Sequence, residues 1–549
     1  MQLLYVLWLM TYMLAGMLLQ AQPCNYIIQP PATLGTTTIL DPYTLPGIQP
    51  GDIICLEAGH YYQILVRNLQ GEKDMPIILR NQSGRLEIRN QAHYGISVRN
   101  TRHFVVAGNG DPEQEYGLAV MEVAGGAGIS FDQLSSNISL VHTEIAHTLF
   151  AGVIAKTDPD CSFASLRGQF TMQDVTIAHN YIHDTGLEGV YAGHSFYGGF
   201  RMQCNGSDTL VLPHVIEGIA VHNNRLERTG RNGIMVNSAT KNCHIFDNVI
   251  NADSQAETHN QMGGIQIGGG STCDCFNNTI SGGKGSGIEI FGQGEMRIFN
   301  NLIEFAGKSF KPDEPHFQYP KHGIYVRDSQ ANAPTNLLIA HNTIINPKSD
   351  GISFASQQAH GSRIHNNIIT GPGSFQQIQS AAFIHHPGIS LRVSHNLMLN
   401  SALQAGFTDY EQGNYTLKWF SPAVDSGLDL GDEGIRFDIH YAPRPMGSGY
   451  DMGAFEADPK NMTGELSFIQ AYPNPFSDKL TISMYLPDTG ILAFNLYNIN
   501  GQRVYSSKHE QIGAGSHEIT IDTSDLKQGI YFLQLFTESG NPVIRTLRL

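Results

Sequence analysis

The sequence predicts an all-β chain: a solenoid of stacked parallel coils followed by a small β-sandwich. Two observations carry this. Between Ile177 and Phe354 one phrase recurs, an Asn followed by an apolar pair, a polar turn, and a Gly that leads an apolar–x–apolar strand. Beyond about residue 464 the pattern changes to longer strands of alternating polarity.

The copies are "HNYI…EGVYA" (Asn180, Gly189), "NNRL…NGIMV" (Asn224, Gly233), "DNVI…GGIQI" (Asn248, Gly264), "NNTI…SGIEI" (Asn278, Gly287), "NNLI…HGIYV" (Asn301, Gly323) and "HNTI…DGISF" (Asn342, Gly351). Echoes follow at Asn367 and Asn396, and the Gly half appears earlier at Gly95 and Gly128. From Asn to Gly the gap is 9 residues in four copies and lengthens to 16 and 22 in the other two. The shortest full turn is 23 residues. Self-similarity at such a period marks a solenoid. Strands this short cannot close a core within one repeat, so each coil must pair with the next and bury alternate apolar residues in a shared interior. The repeated Asn is suited to the buried bend, where it can bond the backbone or the Asn of the next coil. A leucine-rich repeat is excluded because the L-x-x-L-x-L spacing is missing and no amphipathic helix recurs. The phrase resembles the right-handed parallel β-helix family, and that resemblance implies the handedness.

Composition agrees. Charged residues make up 15%, and Gly (58) outnumbers Lys plus Arg (33), which suits strands and turns and excludes coiled coil or disorder. A net charge of −16 argues against a nucleic-acid partner. A monomer is expected.

Taken in order, residues 1–21 read as a secretory signal with cleavage after Ala21, although no Lys or Arg precedes the apolar core. An uncleaved anchor over Leu3 to Leu19 is the lesser alternative, and "AQPC" before Cys24 is a poor lipobox. Residues 22–415 are assigned to the solenoid, with 22–80 as its N-terminal cap and first coils. Here "GDIICLEAGHYYQILV" and "GEKDMPIILRNQSG" resemble the opening of carbohydrate-active β-helices such as chondroitinase B-like and alginate lyases. Residues 416–458, with "SPAVDSG…YDMGAFEAD", resemble the closing segment of exported β-helices and are expected to cover the last coil. A linker, 459–469, leads to a sandwich at 470–549. Its "AYPNPFSDKL", "NINGQRVY" and "LKQGIYFLQL" closely resemble the C-terminal sorting domain of the type IX secretion system. That resemblance implies a Bacteroidetes-type bacterium, the type IX machinery as a partner, and a secreted or outer-surface protein. Seven Cys then permit disulfides and leave one thiol over. Cys243 and Cys273 each lie five residues before a repeat Asn and should stack, as a disulfide or as a thiol pair. Cys161 and Cys204 could tie two insertions together.

In each Gly-led strand the first and third residues after Gly point inward, so the second and fourth face out. The second positions form a stripe, Tyr191, Met235, Gln266, Glu289, Tyr325 and Ser353; the fourth include Asn237 and Arg327. Such side chains on a shallow face suit a glycan, with Tyr191, Asn237, Gln266 and His316 as substrate-binding candidates. A merely solvated face is the plain alternative. Both long arcs, 251–262 and 304–322, should rise as walls beside the short coil bearing Glu289. A third cluster, His183, Glu188, Tyr191 and His194, is placed near the same edge.

The resemblance to polysaccharide lyases implies β-elimination on a uronate-containing glycan. Lys311, Lys321, His322 or Tyr325 could then take the proton, with Arg327, or a Ca²⁺ held by Asp313 and Glu314, meeting the uronate carboxylate. His322 is discounted because it precedes the repeat Gly, where polar turn formers are expected. The catalytic candidates are therefore Lys321, Tyr325, Arg327 and Glu289. A glycoside hydrolase pairing Glu289 with Asp253, Glu257 or Asp313, and a non-catalytic glycan-binding adhesin, stay open. Neither the Asp-Asp pair of polygalacturonases nor the Arg-His-Gly of chondroitinase B-like lyases is present, and "DEPH" (313–316) differs in spacing from the Asp-Pro-His of alginate epimerases. His179, His222, His341, His365 and His395 recur with the fold's own period and are read as structural.

Overall fold

The computed structural model describes residues 23–548 except 312, 315–318, 330–333, 374–381, 385–387, 419–420, 458–468, 474–475, 487–489, 499–501, 514 and 537–542. The signal-like residues 1–21 and His316 therefore lie outside the described residues. No described helix is long and apolar enough to cross a membrane.

The chain divides into two compact units. In the first, strands of successive coils stack in parallel in three columns. One column includes Thr171–Ala178, Val215–His222, Ala239–Phe246 and Cys273–Phe276; a second includes Tyr181–His183, Arg225–Glu227, Val249–Asn251 and Thr279–Ser281. The third is a separate 12-stranded sheet that includes Val190–Ala192, Ile234–Val236, Gly263–Ile267, Ser286–Ile290, Ile324–Val326 and Ile352–Phe354. Inward residues form vertical apolar files, such as Ile182, Leu226, Ile250, Ile280 and Ile303, all at most 2% exposed. Each such burial contributes about 1.5–3 kcal/mol against unfolding.

The repeated Asn occupies the corner between the first two columns. From Asn180 through 224, 248, 278, 301, 342 and 367 to Asn396, each Nδ2 donates to the next Oδ1 at 2.8–3.0 Å. The backbone N–H of each also donates to that same oxygen at 3.0–3.1 Å. The residue just before each Asn takes positive φ, between 52° and 57°, at His179, Asn223, Asp247, Asn277, Asn300, His341, Asn366 and His395. Asn, Asp and His tolerate that conformation better than most side chains. His179, His341 and His395 are thus accounted for by the backbone, while His222 and His365 sit one residue earlier, at the end of their strands. His142, His179, His222, Phe246, Phe276 and Phe299 further stack as an aromatic file at 4.6–5.7 Å, and burial pushes His179 down to about 4.

The repeated Gly answers a close approach. A Cβ on Gly264 would stand 2.4 Å from Ile280 Cγ2 and 2.8 Å from the Gly287 carbonyl oxygen.

Residues 427–444 run lengthwise along the coils of this unit. Arg297 Nη1 donates to the Glu433 carbonyl at 2.7 Å, Asn300 Nδ2 to that of Phe437 at 2.7 Å, and Asn366 Nδ2 to that of Leu428 at 2.8 Å. Leu430 and Ile435 pack on Phe299, Leu338 and Ala340. This stretch, expected over the end of the solenoid, is used to cover the outer face of the aromatic file.

Disulfides join Cys24 to Cys55, Cys161 to Cys204 and Cys243 to Cys273, and Cys275 is the buried free thiol. Of the two arrangements open for Cys243 and Cys273, the bond is the one formed.

The second unit contains the C-terminal sandwich. Three antiparallel strands, Ile469–Tyr472, Lys479–Leu486 and Gly515–Asp522, face a four-stranded antiparallel sheet of Arg503–Ile512, Gly490–Asn498, Gly529–Phe536 and Val543–Arg548. Phe476, Leu480, Ile482, Phe494, Leu496 and Leu533 fill the space between them.

Replacing Asn248 by Leu leaves the Asn224 backbone N–H and one Asn224 amide hydrogen without their acceptor in a dry corner, and takes one of two donors from Asn278 Oδ1. Asn248→Leu is expected to lower stability by about 2–3 kcal/mol, and the partly exposed Asn396→Leu by less. Chemical denaturation of the full chain checks this, and equal losses at the two positions would contradict it.

Candidate functional site

The stripe read from the sequence exists. Tyr191, Met235, Gln266, Glu289, Tyr325 and Ser353 are consecutive partners across the third sheet. The stripe is not a shallow open face, however. Met235, Gln266, Glu289 and Ser353 are buried, and only Tyr191 and Tyr325 remain half-buried.

The middle of the stripe gathers three ionisable groups. Glu289 is 6% exposed, Asp253 from the first long arc 1%, and Lys321 from the end of the second arc 8%. Burial pushes Glu289 up to about 7, with Lys321, Ser286 and Arg327 pulling it back and Asp253 adding to the rise. Burial likewise raises Asp253 to about 6, against hydrogen bonds from Ser254 Oγ at 2.6 Å and the Gly285 N–H at 3.2 Å and the attraction of Lys321. Burial lowers Lys321, and Glu289 and Asp253 oppose it. Lys321 senses both carboxyls, and Glu289 senses Asp253 as well as Lys321. Taking charges out of water makes each give up part of its ionisation.

Lys321 is anchored at its backbone: its N–H donates to Ser349 Oγ at 3.2 Å and its carbonyl accepts from the Ser349 N–H at 2.8 Å. Gly307 lets the arc pass beside it, since φ is +71° and a Cβ there would stand 2.3 Å from Lys321 Cβ. Next along the stripe, burial raises the Tyr325 phenol while Arg327 opposes the shift. Tyr325 stacks on His322 at 5.2 Å. His322 Nδ1 stands 3.2 Å from Asp350, off the line of a hydrogen bond.

The two arcs are joined by Lys284, in the turn of the Glu289 coil itself. Its ammonium donates to Glu257 Oε1 of one arc at 2.6 Å and to Glu314 Oε1 of the other at 2.7 Å. Glu314 Oε2 accepts from the Lys311 N–H at 2.8 Å. Both Glu314 oxygens are thus engaged, and Glu314 serves as a latch between the arcs.

Other expected site residues are placed differently. Gln266 Oε1 accepts from Asn232 Nδ2 at 2.8 Å, so it braces the stripe. Asn237 is buried, with its Nδ2 unbonded. Tyr191 lies with its hydroxyl 2.8 Å from Ser195 Oγ and its ring 5.2 Å from Lys156 Nζ. The proposed edge cluster is dispersed: His183 bonds Glu144 at 3.1 Å and Asp184 at 2.7 Å in the second column, and His194 stacks on Phe200. Lys284 went unrecognised in the sequence; its signal was its place in the one short turn between two long arcs. A cavity of about 440 Å³ lined by Glu295, Asn336, Gln358 and His360 shares no lining residue with these groups.

Residues 203–397 match the model of the right-handed β-helix region, and residues 470–547 that of the secretion system C-terminal sorting domain. The first unit is thus a right-handed parallel β-helix, and the chain is a secreted or outer-surface protein that engages the type IX machinery through its sorting domain. No curated protein sequence matches the chain. Among solved structures, a pectate lyase, Pel9A, is similar with a TM-score of 0.39 and 14% identity, covering 77% of this chain and 96% of that one. The GH136 lacto-N-biosidase of Eubacterium ramulus gives 0.36 and 11%, covering 66% and 68%. The A-module of the mannuronan C-5 epimerase AlgE4 of Azotobacter vinelandii gives 0.33 and 15%, covering 64% and 88%.

The raised carboxyls make stability depend on pH. Because the folded chain holds Glu289 at about 7 and the unfolded chain near 4.5, folding binds a proton between those values. Stability is therefore lost as pH rises through that window. Glu289→Gln is expected to melt higher than the parent at about pH 8 and to lose that advantage at about pH 5. Thermal unfolding at the two pH values measures it, and a difference that does not change with pH would refute it.

Proposed function

We propose that this exported β-helix acts on a uronate-containing polysaccharide by β-elimination at the Glu289–Lys321 centre. The observation that carries the reading is a lysine with depressed proton affinity buried beside a carboxyl that still holds its proton near neutrality. In this reading Lys321, whose burial disfavours the ammonium form, removes the proton next to the uronate carboxylate. Protonated Glu289, shielded from water, and the exposed Arg327 guanidinium meet the charge that develops on that carboxylate. Tyr325, kept protonated by burial, supplies a proton to the leaving glycosidic oxygen as its bond to carbon breaks. The product carries an unsaturated ring. No step uses Ca²⁺.

A second reading has its own support. Asp253 and Glu289 are two carboxyls with raised pKa in one pocket, an arrangement that glycoside hydrolysis can use as acid and base.

Incubation of the purified chain with pectate, alginate and glycosaminoglycans, followed by ultraviolet absorbance, separates these readings. Unsaturated product is expected, and Lys321→Ala should slow its formation by about 100-fold or more. New reducing ends without absorbance would turn the assignment to hydrolysis, and binding with neither to a non-catalytic adhesin. For elimination, kcat/KM should fall as pH rises through about 7, where Glu289 loses its proton, and Glu289→Gln should abolish that limb.

A further inference from the structure

The outward files that carry Glu289 continue toward the N-terminal coils. Ser130 pairs with Ile154, Ile154 with Tyr191, Tyr191 with Met235, Met235 with Gln266 and Gln266 with Glu289. Those five ladder steps, at about 4.8 Å each, span roughly 24 Å. At their far end the sheet floors a groove of about 870 Å³, lined by Tyr94, Arg99, Asp132, Gln133, Phe150 and Lys156 among others. Arg99, Asp132 and Lys156 are the fourth residues after their Gly, so they stand on the file that later carries Arg327. No long arc covers these coils, and the groove is open where the Glu289 centre is closed.

The groove is preformed. Its far wall, residues 157–165, is pinned by the Cys161–Cys204 disulfide, by the Thr157 N–H donating to His214 Nε2 at 3.0 Å, and by Ser165 Oγ donating to the Asp158 carbonyl at 3.2 Å. Its near rim presents Phe150, a large apolar ring left 46% exposed. Its floor carries Ser130 Oγ, 3.0 Å from Ser97 Oγ and 3.2 Å from Asp132 Oδ2, and Asp132 Oδ1, which has no hydrogen bond and faces the Arg99 guanidinium. An aromatic rim above hydroxyl and carboxyl acceptors is what a sugar ring requires, apolar C–H face on one side and hydroxyls on the other.

Charge narrows the ligand. Arg99 Nε lies 3.6 Å from Asp132 and its guanidinium covers the Tyr94 ring at 5.1 Å. Lys156 is ion-paired with Asp158. With Asp160 also on the lining, the acids outnumber these cations. Both cations are already matched, so the groove does not offer positive charge to a run of carboxylates.

We infer that this groove is a binding site for neutral, hydroxyl-rich sugar residues, in line with the Glu289 centre, so that the chain takes a heteroglycan in which neutral stretches accompany the uronate. Placing both sites on one polymer rests on the β-elimination reading; the groove as a neutral-sugar site does not. The test is gel retardation of the full chain and of its Lys321→Ala variant by neutral arabinogalactan, galactan and xylan, with polygalacturonate alongside. At least one neutral glycan is expected to retard both proteins equally, and Phe150→Ala or Gln133→Ala, each on an exposed side chain, to weaken that binding by about tenfold while the melting temperature holds. Retardation by a neutral glycan that both substitutions leave unchanged would overturn the groove assignment, as would retardation by polygalacturonate alone. If Phe150-dependent neutral binding appears but no glycan yields unsaturated product, the groove stands and the β-elimination reading falls.

Discussion

The Asn corner is the contact on which the rest of the molecule depends. Eight side-chain amides in sequence, each donating to the next, hold the coils at one rotational phase. An amide suits this role because it carries donor and acceptor on one flat group, so an identical residue above and below satisfies both. In a corner shut off from water such a chain is costly to interrupt, since each broken link takes a hydrogen bond from a buried donor and a buried acceptor that water cannot replace. A coil can therefore gain residues in its outer arcs but cannot slip in register. That is why arcs of 16 and 22 residues are tolerated in place of 9.

The candidate site follows from that tolerance. With the corner held and the Gly file pressing consecutive coils together, outward residues at one place in the phrase fall in vertical line. Residues far apart in sequence, Asp253, Glu289 and Lys321, then converge on adjacent coils. The arcs fold over the sheet, and Lys284 ties them through Glu257 and Glu314. Closing them over Glu289 removes water, and water is what would otherwise keep two carboxylates and an ammonium in their ordinary states. The altered proton affinities are the electrostatic consequence of that covering.

Outside the site, the chain shows the habits of an exported protein. Three disulfides stitch the first coil to its neighbour, an insertion to a hairpin, and one coil to the next. The flanking segment 427–444 shields aromatic rings that the short strands leave bare. The sorting sandwich is built on a different principle, antiparallel strands closing on their own core, and owes nothing to the repeat.

What the sequence by itself determined is everything that repeats. Asn-to-Gly spacing implied the coils, their register and the file from Tyr191 to Ser353, because a period is a one-dimensional property and stacking merely adds the second dimension. It also marked the periodic histidines as structural; for His179, His341 and His395 the positive φ before the Asn is the physical reason. Three closing motifs identified the sorting domain. Tertiary structure alone decided what the insertions do. Whether an arc stands away from the sheet or lies down on it depends on contacts such as Lys284 with Glu257 and Glu314, and Gln266 with Asn232, that no period encodes. An outward position in a strand was legible; whether water reaches it was not, because burial is a property of what folds over it.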